Sequence, residues 1–185
     1  MRSIAGFSIF VAAVLLGSPA CVRADSIVWG PAVGGMRLGI DFAPASTSGP
    51  VVRVSLQNAG PAAQDLILGY GVGKATAYNL TFLAAAPDGK LHKGFDAAAF
   101  IPVAGLVLPV LVHLESGATR EFPFPLHNII CIEKPGDIRM DTLVKQGNSL
   151  RAVFEGSRGM SLSTQPAAPR LWTGKLTSGE LAPKN

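Results

Sequence analysis

The chain has 185 residues, 16 Lys and Arg against 12 Asp and Glu, and a formal net charge of +4. Its basic residues are scattered singly rather than gathered in the stripe that a phosphate backbone requires, which excludes a nucleic-acid partner. With 21 Gly and 14 Pro there is little room for long helices.

The N-terminus opens with Met1-Arg2-Ser3, continues as an apolar run from Ile4 to Leu16, and reaches Val22-Arg23-Ala24-Asp25. A basic start, an apolar segment and small residues two apart at a cleavage site are the parts of a secretory signal, so residues 1–24 are expected to be a signal peptide cut after Ala24. Residues 25–185 are then a single domain, secreted or periplasmic, of a size that can bury a real core. Cleavage there removes Cys21 and leaves Cys131 alone, so no intrachain disulfide is expected. A competing reading makes Cys21 a lipid-modified N-terminus, the only route to membrane attachment. Pro19 two residues earlier and the lack of a Leu at the third position before Cys21 argue against it.

Alternation with period two marks the strands that follow. Met36-Arg37-Leu38-Gly39-Ile40-Asp41-Phe42 places apolar side chains on one face, and Val52, Val54 and Leu56 do the same against Arg53, Ser55 and Gln57. Gly69-Tyr70-Gly71-Val72-Gly73-Lys74 lacks both the glycine spacing and the Ser or Thr of a phosphate-binding loop. It is expected to be a mobile connection. Tyr78, Leu80 and Phe82 form the next apolar face, with Asn79 and Thr81 exposed opposite; Asn79-Leu80-Thr81 matches an N-glycosylation acceptor.

The stretch Ala97 to Leu114 carries no formal charge apart from that of a protonated His113. Pro102, Gly105 and Pro109 break any membrane helix, and the reading is a loop followed by a strand buried on both faces. In Glu121-Phe122-Pro123-Phe124-Pro125-Leu126 the prolines cannot donate to a ladder, so this strand belongs at a sheet edge. Cys131 lies among Ile129, Ile130 and Ile132, an environment for a small buried side chain. One helical turn is expected at Asp141-Thr142-Leu143-Val144-Lys145. A final alternating strand has Leu150, Ala152 and Phe154 inward, with Arg151 and Glu155 outward. Turn signals separate these runs at Asn58-Ala59-Gly60-Pro61, Pro87-Asp88-Gly89-Lys90, Glu115-Ser116-Gly117, Lys134-Pro135-Gly136-Asp137 and Gln146-Gly147-Asn148-Ser149. The fold class is all-β, with an antiparallel β-sandwich expected.

Two resemblances add to this reading. Trp29-Gly30-Pro31, Gly35 to Ile40, Val54 to Asn58 and Leu171 to Leu181 resemble exported bacterial proteins of uncharacterised function. The pattern of Val52 to Asn58, Tyr78 to Lys90, Glu115 to Phe124 and Gln146 to Phe154 is distantly similar to the immunoglobulin-like domain of the bacterial intracellular proteinase inhibitor family. That likeness implies an immunoglobulin-like sandwich and, less directly, an inhibitor-like module.

No catalytic, cofactor-binding or metal-ligating residues are assigned. His92, His113 and His127 share no metal-ligand spacing. Asp137 and Asp141 lack the dense acidic loop of a calcium site and suit a solvated turn. Gly156-Ser157-Arg158-Gly159 falls one residue short of a nucleophile elbow. Trp29 and Trp172 are expected to be buried where first and last strands meet. The leading expectation is a non-enzymatic exported sandwich that binds a protein or a cell-envelope component. Its contacts are placed on the loops Gly69 to Ala77 and His127 to Asp137. Alternatives are a hydrolase assembled from dispersed residues and a proteinase-inhibitor-like module.

Overall fold

The computed structural model describes residues 26–44, 49–72, 75–97, 107–133, 136–157 and 171–183. The leader, Cys21 and Arg158-Gly159 lie outside them. Alternation of apolar and polar residues produces the expected strands, and the described chain is predominantly antiparallel β-structure.

Three sheets are formed. In the first, β1 (Val28–Trp29), β2 (Met36–Phe42), β3 (Val51–Asn58) and β9 (Thr119–Pro125) lie side by side in that order. The second has the order β5 (Ala75–Tyr78), β4 (Gln64–Val72), β8 (Leu108–Leu114). The third holds six strands in the order β11 (Ile138–Arg139), β10 (Ile129–Cys131), β7 (Leu91–Asp96), β6 (Leu80–Ala85), β12 (Ser149–Glu155), β13 (Lys175–Thr177). β9 pairs only with β3 among the described residues, setting Pro123 opposite Arg53, so the proline-bearing strand lies at an edge as its chemistry requires.

The first two sheets are joined through two chain segments that pass from one to the other. β3 leads into β4 and β8 leads into β9, while β3 pairs with β9 and β4 with β8. This ribbon bends at Asn58, whose side chain is fully buried. Its Nδ2 donates to the carbonyls of Ala62 at 2.7 Å and Leu114 at 2.9 Å, and its Oδ1 accepts from the Gly60 N–H at 3.0 Å. One amide thus gives hydrogen-bond partners to the connection between β3 and β4 and to the last residue of β8.

The second and third sheets are joined at Asn79. The backbone N–H of Asn79 donates to Leu68, its carbonyl accepts from Glu155, and its Nδ2 reaches the Ile67 carbonyl at 3.3 Å. Leu68 is the extra residue of a bulge in β4. The single run expected through Tyr78, Leu80 and Phe82 is therefore two strands. Asn79 is a half-buried corner, not an exposed strand position.

One buried cluster draws on all three sheets. Met36, Leu38 and Ile40 come from β2, Val52, Val54 and Leu56 from β3, Phe82 from β6 and Phe154 from β12, each at 1% exposure or less. Full burial of such a side chain contributes about 1.5–3 kcal/mol. Phe124 meets Phe82 edge-on, with centroids 5.3 Å apart. The short helix α1 (Met140–Lys145) adds Met140 and Leu143 and packs on β10 and β11.

Several expectations are corrected. Gly69 to Val72 is not a loop: Gly69, Tyr70, Gly71 and Val72 pair with Tyr78, Ala77, Thr76 and Ala75. Gly69 is required there, because an added Cβ would sit 2.2 Å from the Ala77 carbonyl oxygen. Within His127 to Asp137 the described residues form the end of a 3-10 turn (Leu126–Asn128) and β10, which pairs with β11. β8 is buried on one face only: Val112 and Leu114 are buried, Pro109, Leu111 and His113 on the other face are exposed, and so is Leu108 at the start of the strand. Residues 98–106, the rest of the uncharged stretch, lie outside the described residues, among which no helix is long and apolar enough to cross a membrane.

The two tryptophans separate. Trp172 is buried, stacked on Phe154 at 6.1 Å, and flanked by Gly156 and Gly174, where a Cβ would come within 2.8 Å of the indole. Trp29 is only half-buried. Its ring covers Gly39 on the outward side of β2 and carries the Arg37 guanidinium 4.4 Å from its centroid.

Candidate binding surface

The outward face of the six-stranded sheet departs from the usual polar alternation. In an antiparallel sheet with one side on the core, the other side is normally hydrophilic. β6 turns Leu80, Phe82 and Ala84 inward, which leaves Thr81, Leu83 and Ala85 outward. β7 buries His92 and Gly94 and presents Leu91, Lys93 and Phe95 on the other parity. β10 buries Ile129 and Cys131, leaving Ile130 outward, and Ile132 continues that parity past the strand end.

Register brings these side chains together. Leu83 lies opposite Lys93, Ala85 opposite Leu91, and Phe95 opposite Ile130. Leu91 is 65% exposed and Ile132 is 59% exposed. Lys93 places its Nζ 5.0 Å from the centroid of Phe95, an arrangement in which the alkyl stem lies along the apolar surface while the charge stays in water. Arg151 faces Leu83 from β12 and pairs with Glu180. The result is a largely apolar strip across three strands, with Lys93 inside it and Arg151 at its flank.

An open depression of about 360 Å³ adjoins this strip at Phe95 and Thr81. It lies at the Asn79 corner, with Tyr78, Glu155 and Ser157 around it. The Ser157 hydroxyl is 3.0 Å from the phenol oxygen of Tyr70, and Glu155 pairs with Lys175 at 3.0 Å. Aromatic edges, a carboxylate and hydroxyls can hydrogen-bond and pack against a partner. Among the described residues no imidazole lines the depression to activate Ser157.

The histidines are held elsewhere. His92 faces inward on β7 and its Nδ1 is 2.5 Å from the Glu133 carboxylate, which Lys90 approaches to 3.5 Å. The hydrogen bond and charge of His92, aided by Lys90, hold Glu133 below the ordinary carboxyl value of 4.5. Cys131 shares this inward face, is fully buried, and has its thiol pushed up to about 11 by desolvation and by the Glu133 charge. A neutral, enclosed thiol is not a nucleophile.

His113 lies exposed on β8 between two carboxylates, with Nδ1 2.8 Å from Asp65 and Nε2 3.1 Å from Glu115. Those hydrogen bonds raise its pKa above 6.5. His127 sits half-buried in the 3-10 turn. Asp141 turns toward Lys145 at 3.2 Å and Arg139 at 3.6 Å rather than joining Asp137. Among the described residues no group of three or more His, Cys, Asp or Glu is arranged to hold a metal.

An ion pair that the sequence did not reveal, with a buried carboxylate and a part-exposed guanidinium, lies on the outward side of β2 and β3. Asp41 is fully buried, and Arg53 grips both its oxygens, at 2.9 and 2.5 Å, while reaching Glu121 at 3.2 Å. Ser26 donates to the same carboxylate at 2.9 Å. Asp41 and Arg53 are paired across strands, so alternation alone could have placed them on one face, but not beneath the N-terminal segment.

No protein-family model matches the chain, and a search of curated proteins returns no match.

Proposed function

We propose that this chain is an exported, single-domain, immunoglobulin-like β-sandwich that binds a protein partner through the outward face of its six-stranded sheet and catalyses no reaction itself. The observation that carries the reading is the apolar strip formed by Leu83, Leu91, Phe95, Ile130 and Ile132 where a solvated sheet face would be polar. Lys93 within the strip and the Arg151–Glu180 pair at its flank give such an interface its charges. Export rests on the apolar N-terminal segment and the Val22 to Asp25 cleavage pattern. A hydrolase draws less support, because His92 and His113 meet carboxylates away from the depression.

The test places a photo-crosslinking side chain at Ile132, with Arg120 on β9 as the control position, in cells that produce the protein. A discrete protein adduct is expected at Ile132 and not at Arg120, and Leu91→Lys should abolish it. Equal labelling at both positions, or an adduct that survives Leu91→Lys, overturns the proposal.

A further inference from the structure

Among the described residues β8 is a seven-residue strand at a sheet edge, with a single proline, Pro109. The neighbouring edges are short, as in β1, β5, β11 and β13, or carry two prolines, as in β9. Short strands, prolines and charges are the usual protections against strand addition. From Leu108 to Val112 β8 carries no charge, and Leu108 and Leu111 are 57% and 59% exposed.

The phase of the ladder shows which backbone groups face outward. The Asp65 carbonyl accepts from Trp172 and the Ile67 carbonyl from the Asn79 amide, so both residues turn away from β8. Their opposite numbers are His113 and Leu111. In an antiparallel pair both members of such a couple point away from the shared ladder. Leu111 and His113 therefore aim N–H and C=O at the free edge, and Pro109, of the same parity, aims its carbonyl there. None of these groups has a backbone partner among the described residues.

We infer that β8 pairs antiparallel with β8 of a second copy, on a two-fold axis through Leu111. This register exchanges both Leu111 hydrogen bonds between copies and lets each His113 N–H donate to the other copy's Pro109 carbonyl. The two Leu111 side chains meet, which buries apolar surface now in water. An axis through His113 would set two imidazoles face to face, each made more cationic by Asp65 and Glu115, and would place Leu111 against Glu115. An axis through Pro109 forfeits the central donors. The Leu111 register sets no like charges against each other, and the interface is isologous, as a closed dimer requires.

Sedimentation velocity on the purified full chain, across a micromolar concentration series, tests the pairing. The wild type is expected as a dimer, and Leu111→Lys should weaken self-association at least about tenfold, because like charges then face one another across the axis. Leu91→Lys, equally exposed but in another sheet, should leave the dimer intact. Oxidation of a Leu111→Cys variant should give a covalent dimer beyond any seen for the wild type, since directly hydrogen-bonded partners stand about 5.5 Å apart, within disulfide range. A monomer at every concentration, or self-association indifferent to Leu111→Lys, overturns the inference. Loss of the dimer with Leu91→Lys would place the contact on the six-stranded sheet instead and equally overturn it.

Discussion

Replacing Asn58 by Ala should cost this fold about 3–4 kcal/mol. The amide makes three hydrogen bonds from a fully buried position, to Ala62, Leu114 and Gly60. Each is worth about 1 kcal/mol net. The truncation also strands polar backbone at the bend, since the Leu114 carbonyl is bonded to Nδ2 in a buried setting. Leaving such a group without water or a partner costs about 1–3 kcal/mol in place of that bond's net value, and a middle value of about 2 added to about 1–2 for the bonds to Ala62 and Gly60, which water reaches, gives about 3–4 kcal/mol. Against a typical domain stability of about 5–15 kcal/mol, that is a large fraction. Asn58→Asp should do no better, because a carboxylate keeps the acceptor for Gly60 but turns oxygen toward two carbonyls. Urea denaturation followed by circular dichroism measures the loss, with an unchanged slope confirming that compactness is retained. Asn79→Ala supplies the scale, since its side chain makes one long bond and should cost under about 1 kcal/mol. An Asn58→Ala loss no greater than that of Asn79→Ala would refute the claim that the amide holds the bend.

Arg53→Met leaves the buried Asp41 carboxylate without its main cation and should destabilise by about 3 kcal/mol, whereas Arg53→Met combined with Asp41→Leu should recover much of the loss in the same assay. A double variant no more stable than the single one would count against this. His113 should titrate above 6.5 by NMR, and Asp65→Asn should lower its midpoint. Because the folded value is raised, its contribution to stability is present below pH 6.5 and fades as pH rises through the folded value; a midpoint indifferent to Asp65→Asn refutes the pairing. Glu133, held below 4.5 by His92 and Lys90, works with the opposite sign. Its contribution is present above pH 4.5 and is lost as pH falls through the folded value, so His92→Leu should flatten the acid limb of the stability profile. Cys131 should resist aromatic disulfide reagents in the native chain at pH 8 and react on unfolding; native labelling at the rate of a free thiol contradicts its burial.

Residue alternation by itself determined much of this protein. The inward faces of β2, β3, β6 and β12, the proline-marked edge at β9, the turn at α1 and the burial of Cys131 follow from period-two patterning and from proline's missing donor, both local properties of the chain. Tertiary structure decided the rest. Gly69 reads as a flexible residue until Ala77 is laid against it, and Trp172 reads like Trp29 until Gly156 and Gly174 close over its ring. Asn58 and Asn79 look like ordinary turn and strand residues, and only the meeting of two sheets gives their amides carbonyls to bond. The outward strip joins Leu83, Leu91 and Phe95 of one hairpin to Ile130 and Ile132 from a later part of the chain, so no single window of sequence shows it. Local patterning fixes which way a side chain points along its strand; which strands become neighbours, and therefore which outward side chains form one surface, is set by non-local pairing.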